Sequence, residues 1–202
     1  MDEIKKLWNW LDEDGSLMAE TFRLRLLIAQ RRGEVMGMRW PEIDFDDNLW
    51  TIPGTRTKNG RTHCVPLSPR AMRILERIRK ATQENDEKLG RAGVEWVFPN
   101  PRRTGAMYEC QKAVQRLRES SGLDFKAHDL RRTTATMMTK LGITNRVIVG
   151  KILNHAEPGV TKVYDVYDYL KEKRAALDAW GRRVAQVVSE LRLVEESRKS
   201  EV

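Results

Sequence analysis

The sequence predicts a mostly α domain with one small antiparallel β-sheet, an α+β fold. Apolar residues recur at helical spacing through most of the 202 residues, and only the stretch around 48–67 alternates as paired strands do. Glycine, proline and capping residues fall at the joints between these segments.

Ile4, Leu7, Trp8, Trp10 and Leu11 give a first helix over 4–12. Asp14-Gly15 breaks it, and Ser16 caps a second helix over 17–31 with Leu17, Met18, Phe22, Leu24, Leu27 and Ile28 inward. A short helix follows from Gly33 to Met38. Residues 48–53 (NLWTIP) alternate as a strand, and Thr57 to Leu67 returns as its partner, with Lys58 beside a tight Asn59-Gly60 turn. Ser68-Pro69 places an N-cap before a proline at N1, which starts a helix running to about 84. Residues 95–99 read as a short extended piece. Further helices are expected over 107–119, 129–141 and 145–153, the last capped by Thr144. A long amphipathic helix covers 169–195, with Trp180, Val184, Val188 and Leu191 in its apolar stripe. Its first part is expected to pack on its own core. For 184–195, packing at home and packing on a neighbouring subunit fit the pattern equally. Residues 1–194 thus read as one domain, and the charged tail 195–202 is expected to fray.

Composition narrows the function. With 40% hydrophobic and 33% charged residues, the chain is too apolar for a disordered one. No apolar run has the length of a membrane span, so a soluble cytoplasmic protein is expected. Cys64 and Cys110 make no disulfide framework, and His63, His128 and His155 do not cluster as zinc ligands. No glycine-rich phosphate loop of Walker or dinucleotide type is present, so no cofactor is expected. The net charge of +8 is unevenly placed: residues 55–80 and 101–151 each carry +7, and the rest is acidic or neutral. Two such blocks brought together would face a polyanion, and nucleic acid fits that better than two solvated helix faces do.

Three stretches carry chemistry. His128-Asp129-Leu130-Arg131 puts a histidine and an arginine one turn apart where a helix begins, and free N–H groups there favour an anion. Gln30-Arg31-Arg32-Gly33-Glu34 ends an apolar helix with two arginines, the residue type suited to bidentate phosphate contact. A helix cap favoured by the dipole is the plainer reading of that pair. Asn154-His155 is followed nine residues later by Tyr164, and a tyrosine can act as a covalent nucleophile. Tyr164, Tyr167 and Tyr169 could equally pack the last helix onto the core.

The order Arg31, Lys58, His128, Arg131, His155, Tyr164 resembles the active-site order of the tyrosine recombinases, specifically the phage-type integrases. QRRGEVMGMRWPEID resembles the first arginine box of that family, and TKNGRTHCVPLS its lysine hairpin. HDLRRTTATMMTKLG resembles the second box, and ILNHAEPGVTKVYDVYDYL the tyrosine box. The resemblance spans about residues 4–180 and implies the family's catalytic-domain fold. The departures are specific. Ile28-Ala29 stands where the family usually has Thr-Gly, and Val166 where an arginine often follows the tyrosine, which leaves Tyr167 and Tyr169 as rivals for the nucleophile. The helical DNA-binding domains that normally precede the catalytic domain do not fit within this length.

The resemblance implies a mechanism. Tyr164 attacks the scissile phosphate, a 3′-phosphotyrosine forms and a 5′-hydroxyl leaves. Arg31 and Arg131 bind the non-bridging oxygens, Lys58 protonates the leaving oxygen, His128 helps accept the tyrosine proton, and His155 bonds a phosphate oxygen. Neither metal nor ATP is required. The implied partners are double-stranded DNA and other recombinase subunits, with a tetramer on paired sites and a monomer in isolation. A topoisomerase-like nicking-closing enzyme and a non-catalytic DNA-binding domain on the same fold are the alternatives.

Overall fold

The computed structural model describes residues 1–108, 111–126, 128–155 and 167–200. Eight helices are described: α1 (Asp2–Asp14), α2 (Leu17–Ile28), α3 (Arg32–Met36), α4 (Pro69–Lys88), α5 (Gln111–Ser121), α6 (Asp129–Lys140), α7 (Arg146–Ile152) and α8 (Leu170–Ser200). Three strands, β1 (Ile43–Asp44), β2 (Leu49–Ile52) and β3 (His63–Pro66), form one antiparallel sheet in the order β1-β2-β3. The expected α+β architecture is what the chain adopts.

Helix α2 is the axis of the domain. Every residue from Ala19 to Ile28 is buried, so this helix is enclosed all round, packed by α1, α4, α6 and α8. Its enclosed charges are paired: Arg23 reaches Asp12 at 2.6 Å and Glu20 at 2.8 Å. One main-chain oxygen joins three helices, because the Leu26 carbonyl accepts from Thr134 Oγ1 at 2.6 Å and from Trp180 Nε1 at 2.8 Å. Ser16 caps the helix as expected, its hydroxyl accepting from the Ala19 amide.

The far end of α2 differs from the sequence expectation. The helix stops at Ile28, three residues early, because Ala29 turns into the left-handed region at φ 55°. That turn frees Gln30 and Arg31 from the helix and lets α3 start in a new direction.

The sheet also differs in its turn. The β2–β3 pairing ends at Ile52 opposite His63, so residues 53–62 form a ten-residue loop rather than a two-residue hairpin turn. Pro53 has no N–H to extend the ladder, and Gly54–Arg56 winds into a 3₁₀ turn. The Asn59-Gly60 turn survives inside this loop, with Gly60 at φ 72°. Its backbone folds over Gly54 so closely that a Cβ there would lie 2.5 Å from the Gly60 carbonyl oxygen.

Smaller differences follow local chemistry. Asn145 caps α7 in place of Thr144, accepting from the Ile148 amide at 3.0 Å. Residues 95–99 make only isolated bridges, Trp96 to Arg39 and Pro99 to Ala106. Helix α5 begins at Gln111, later than expected, and Met107 and Tyr108 precede it outside any helix. Helix α8 continues to Ser200. Its Ala176, Leu177, Trp180, Val184, Val187 and Val188 are buried in this chain's own core, so the apolar stripe through 188 is satisfied at home. No helix among the described residues is long and apolar enough to cross a membrane.

Candidate active site

The site forms where α2, α6, α7 and the β2–β3 loop converge. Arg31 is the N-cap of α3, immediately past the left-handed turn at Ala29. Glu34, one turn on, fixes it twice: Oε2 accepts from the Arg31 amide at 2.9 Å, and Oε1 pairs with Nη1 at 2.9 Å. The carboxylate is buried while the Arg31 side chain stays 26% exposed, so the guanidinium is held from behind and open in front.

Arg131, in the first turn of α6, is only 5% exposed. Its Nη1 donates to the Ala29 carbonyl at 2.7 Å and its Nη2 to the Leu153 carbonyl. One guanidinium therefore clamps the end of α2 to the end of α7. Burial and the nearby Arg31 charge lower its pKa to about 10, with Glu34 opposing them. It remains charged at neutral pH.

His155 lies two residues beyond Leu153, with its amide bonded to the Gly150 carbonyl at 3.0 Å. Partial burial, then Arg131 and Arg31, push its pKa down, so the ring is neutral near pH 7. The charges of both arginines thus act on the His155 ring. His128 is the exposed N-cap of α6, one turn ahead of Arg131. Lys58 is exposed on the β2–β3 loop, and no described residue accepts from its ammonium. The loop is joined to the His155 turn by its neighbour: Asn59 Nδ2 donates to Asn154 Oδ1 at 2.7 Å. Tyr164 lies outside the described residues.

The rival tyrosines are engaged elsewhere. The Tyr167 hydroxyl donates to Glu172 at 3.2 Å. Partial desolvation, that bond and the charges of Glu172 and Asp168 raise its pKa, the wrong direction for a nucleophile. Tyr169 stacks edge-on with Tyr167 at 4.8 Å, and the Lys151 ammonium sits 4.5 Å from its ring.

A buried polar layer beneath the arginines was not visible in the sequence. His63 on β3 bonds the Ile152 carbonyl through Nε2 at 3.1 Å, and Gln30 Nε2 donates to the same oxygen at 2.9 Å. Burial is the main cause that lowers the His63 pKa to about 4, followed by the charge of Lys173. Lys173, itself buried, donates to the Cys64 carbonyl at 2.9 Å. The one local sign of Glu34 was its place three residues after Arg31 at a helix start, which is also a common surface pattern. Nothing in the sequence pairs Asn59 with Asn154.

The arrangement concentrates fixed positive charge at one face, with a neutral imidazole beside it. Such a set can hold a phosphate and stabilise charge that builds on its oxygens. No group of three or more His, Cys, Asp or Glu that could hold a metal lies among the described residues.

Residues 1–170 match the Phage integrase family, and the chain belongs to that family. The prophage integrase IntA of Escherichia coli is 29% identical over 160 residues, which covers 79% of this chain and 37% of that protein. The shufflon-specific DNA recombinase of Escherichia coli is 30% identical over 162 residues, covering 80% and 38%. The chain thus spans well under half the length of these relatives. Among solved structures, the XerH site-specific recombinase bound to its difH substrate superposes with a TM-score of 0.60 at 17% identity, over 87% of this chain and 48% of that one.

Proposed function

We propose that this chain is the catalytic domain of a site-specific recombinase that cleaves and rejoins double-stranded DNA through a 3′-phosphotyrosine. The observation that carries this reading is the Arg131 clamp. It ties the Ala29 carbonyl, two residues before Arg31, to the Leu153 carbonyl, two residues before His155, and both arginine charges act on the His155 ring, which supports the reading. In the proposed reaction the Tyr164 oxygen attacks phosphorus and the bond to the 5′ oxygen breaks. Lys58 gives that oxygen its proton, and His128 assists removal of the tyrosine proton. Arg31 and Arg131 hold the non-bridging oxygens, and His155 hydrogen-bonds one of them. In the reverse step the 5′-hydroxyl of a partner strand displaces the tyrosine. The phosphodiester energy is kept in the protein–DNA bond, so neither ATP nor a metal ion is consumed. Pairing of two DNA sites brings four subunits together, and the isolated domain is a monomer.

The test is covalent capture on nicked duplexes, read on a denaturing gel with chelator present. The wild type is expected to form an adduct, and Tyr164→Phe to form none while binding DNA as before. An adduct mapped to Tyr167 or Tyr169 would overturn the assignment, and activity lost to chelator would overturn the metal-free chemistry.

A further inference from the structure

We propose that Asn154 is a positioning residue for Lys58: through its amide pair with Asn59 it hangs the lysine loop on the turn that carries His155. The roles of Lys58 and His155 rest on the function proposed above.

The two asparagines are 95 positions apart, and each is adjacent to a site residue. Asn59 follows Lys58, and Asn154 precedes His155. Asn59 Nδ2 donates to Asn154 Oδ1 at 2.7 Å and approaches its carbonyl at 3.4 Å, while Asn154 Nδ2 reaches back to Asn59 Oδ1 at 3.4 Å. Two amides facing each other in this way resist both sliding and twisting, which a single bond does not.

One side of the pair is fixed, and the other is the tip of a loop anchored at its start. Asn154 stands in the left-handed region at φ 49°, a conformation asparagine tolerates better than most residues. Its turn is held by the Arg131 bond to the Leu153 carbonyl and by the His155 amide on Gly150. The loop 53–62, by contrast, leaves the sheet at Ile52 and returns at His63. Its first turn is anchored by Arg56, which pairs with the Glu42 carboxylate and donates to the Glu34 carbonyl at 2.8 Å, and beyond Arg56 the loop is braced within itself. Thr57 Oγ1 donates to the Arg61 carbonyl at 2.7 Å, and Asn59 Oδ1 accepts from the Arg61 amide at 3.2 Å. Arg56 anchors the loop's first turn and the internal bonds set its shape, so the attitude of the tip that carries Lys58 is left to the Asn59–Asn154 pair.

This matters because Lys58 is an exposed, flexible side chain. Where its ammonium can reach is set by its Cα, and that position is set by the loop. A misplacement of about 1 Å at a reacting group costs on the order of 100-fold in rate. The pair therefore converts a solvated lysine into one delivered to the same face as Arg31, Arg131 and His155.

The test uses the whole chain and a pool of nicked duplexes of randomised sequence, from which wild-type protein captures covalently bound DNA. A captured sequence is then made twice, with oxygen and with sulfur at the bridging 5′ position. Sulfur leaves as a thiolate without a donated proton. Asn154→Gly keeps a backbone that accepts positive φ and removes the side chain with its amide. It is expected to slow adduct formation about 10- to 100-fold on the oxygen substrate. On the sulfur substrate it should return to within about threefold of wild type, as Lys58→Ala should. Asn59→Ala is expected to behave alike, and the double variant to be no slower than the slower single one. Equal slowing on both substrates, or no slowing on oxygen, overturns the inference while strand cleavage stands. If the wild type captures no DNA, the cleavage reading falls and the inference falls with it. Melting curves of both single variants identify a folding defect, and either variant alone is enough to read the outcome.

Discussion

His63 is expected to make the domain sensitive to mild acid, in a way one substitution removes. Its ring is buried on β3, bonded through Nε2 to the Ile152 carbonyl, with Lys173, Arg131 and Arg31 as charged neighbours. Protonation would place a further positive charge among three, out of water. The folded pKa is about 4 against an ordinary 6.5, so between those values the unfolded chain binds the extra proton. Stability from this group is fully present above pH 6.5 and falls as the pH drops towards 4. The full difference is about 3 kcal/mol, and about 2 kcal/mol is lost by pH 5, before ordinary carboxylates titrate heavily. The assay is urea unfolding of the wild type and His63→Gln at pH 7 and pH 5. The variant does not titrate at that position, so its deficit at pH 7 should shrink by about 2 kcal/mol at pH 5. His128 and His155 are present in both proteins and cancel. A gap that stays constant with pH would refute the reasoning.

Three further outcomes follow from the packing and the charge. Gly181→Ala puts a Cβ 2.7 Å from Ser68 Oγ and should cost about 1–3 kcal/mol, with Ser68→Gly in the same chain restoring most of it; thermal unfolding reads both. Ala29→Gly relieves a left-handed alanine that costs about 1–2 kcal/mol, offset by the freer unfolded chain and by the loss of a buried methyl worth about 0.8 kcal/mol, so a change within about 0.5 kcal/mol of zero is expected in denaturant unfolding. A loss of more than about 1 kcal/mol, the cost of the methyl and the chain entropy with no strain relieved, would deny the strain. DNA affinity should fall with added salt at roughly 0.9 log units per log unit of salt for each phosphate contacted, and a slope shallower than about −3 by filter binding would contradict a site built from the two basic blocks.

The fold was legible where one physical rule dominated. Helix α4 announced itself through Ser68-Pro69 and a clean apolar stripe, and α6 ends at Lys140, one residue short of its expected end, with Leu141 as its cap and Gly142 just beyond. Helix α2 was harder to end, because Ile28 and Ala29 continue its apolar run and only tertiary context turns an alanine left-handed. The β2–β3 loop misled through a strong local signal: Asn59-Gly60 does turn, but the Pro53 break and the Gly54 approach decide where pairing stops. Site residues with charge were visible as chemistry in order along the chain. Their supports were not. Gln30, His63 and Ile152 meet only because β3, α7 and the end of α2 converge, a relation across more than 80 residues with no local trace.

The Leu26 carbonyl has a consequence for how the protein comes into being. Its two donors, Thr134 and Trp180, lie 108 and 154 residues further along the chain. During synthesis α2 emerges before α6 and α8 and waits, with the faces they will cover still wet. Loop closure over such distances is slow, and a domain folds as a unit once its last core element is available. Here that element is the stretch of α8 through Val188. On every nascent chain that stops short of it the end of α2 is unanchored, so the arginines that follow it have no fixed place, and the candidate site assembles only once the stretch through Val188 has been made.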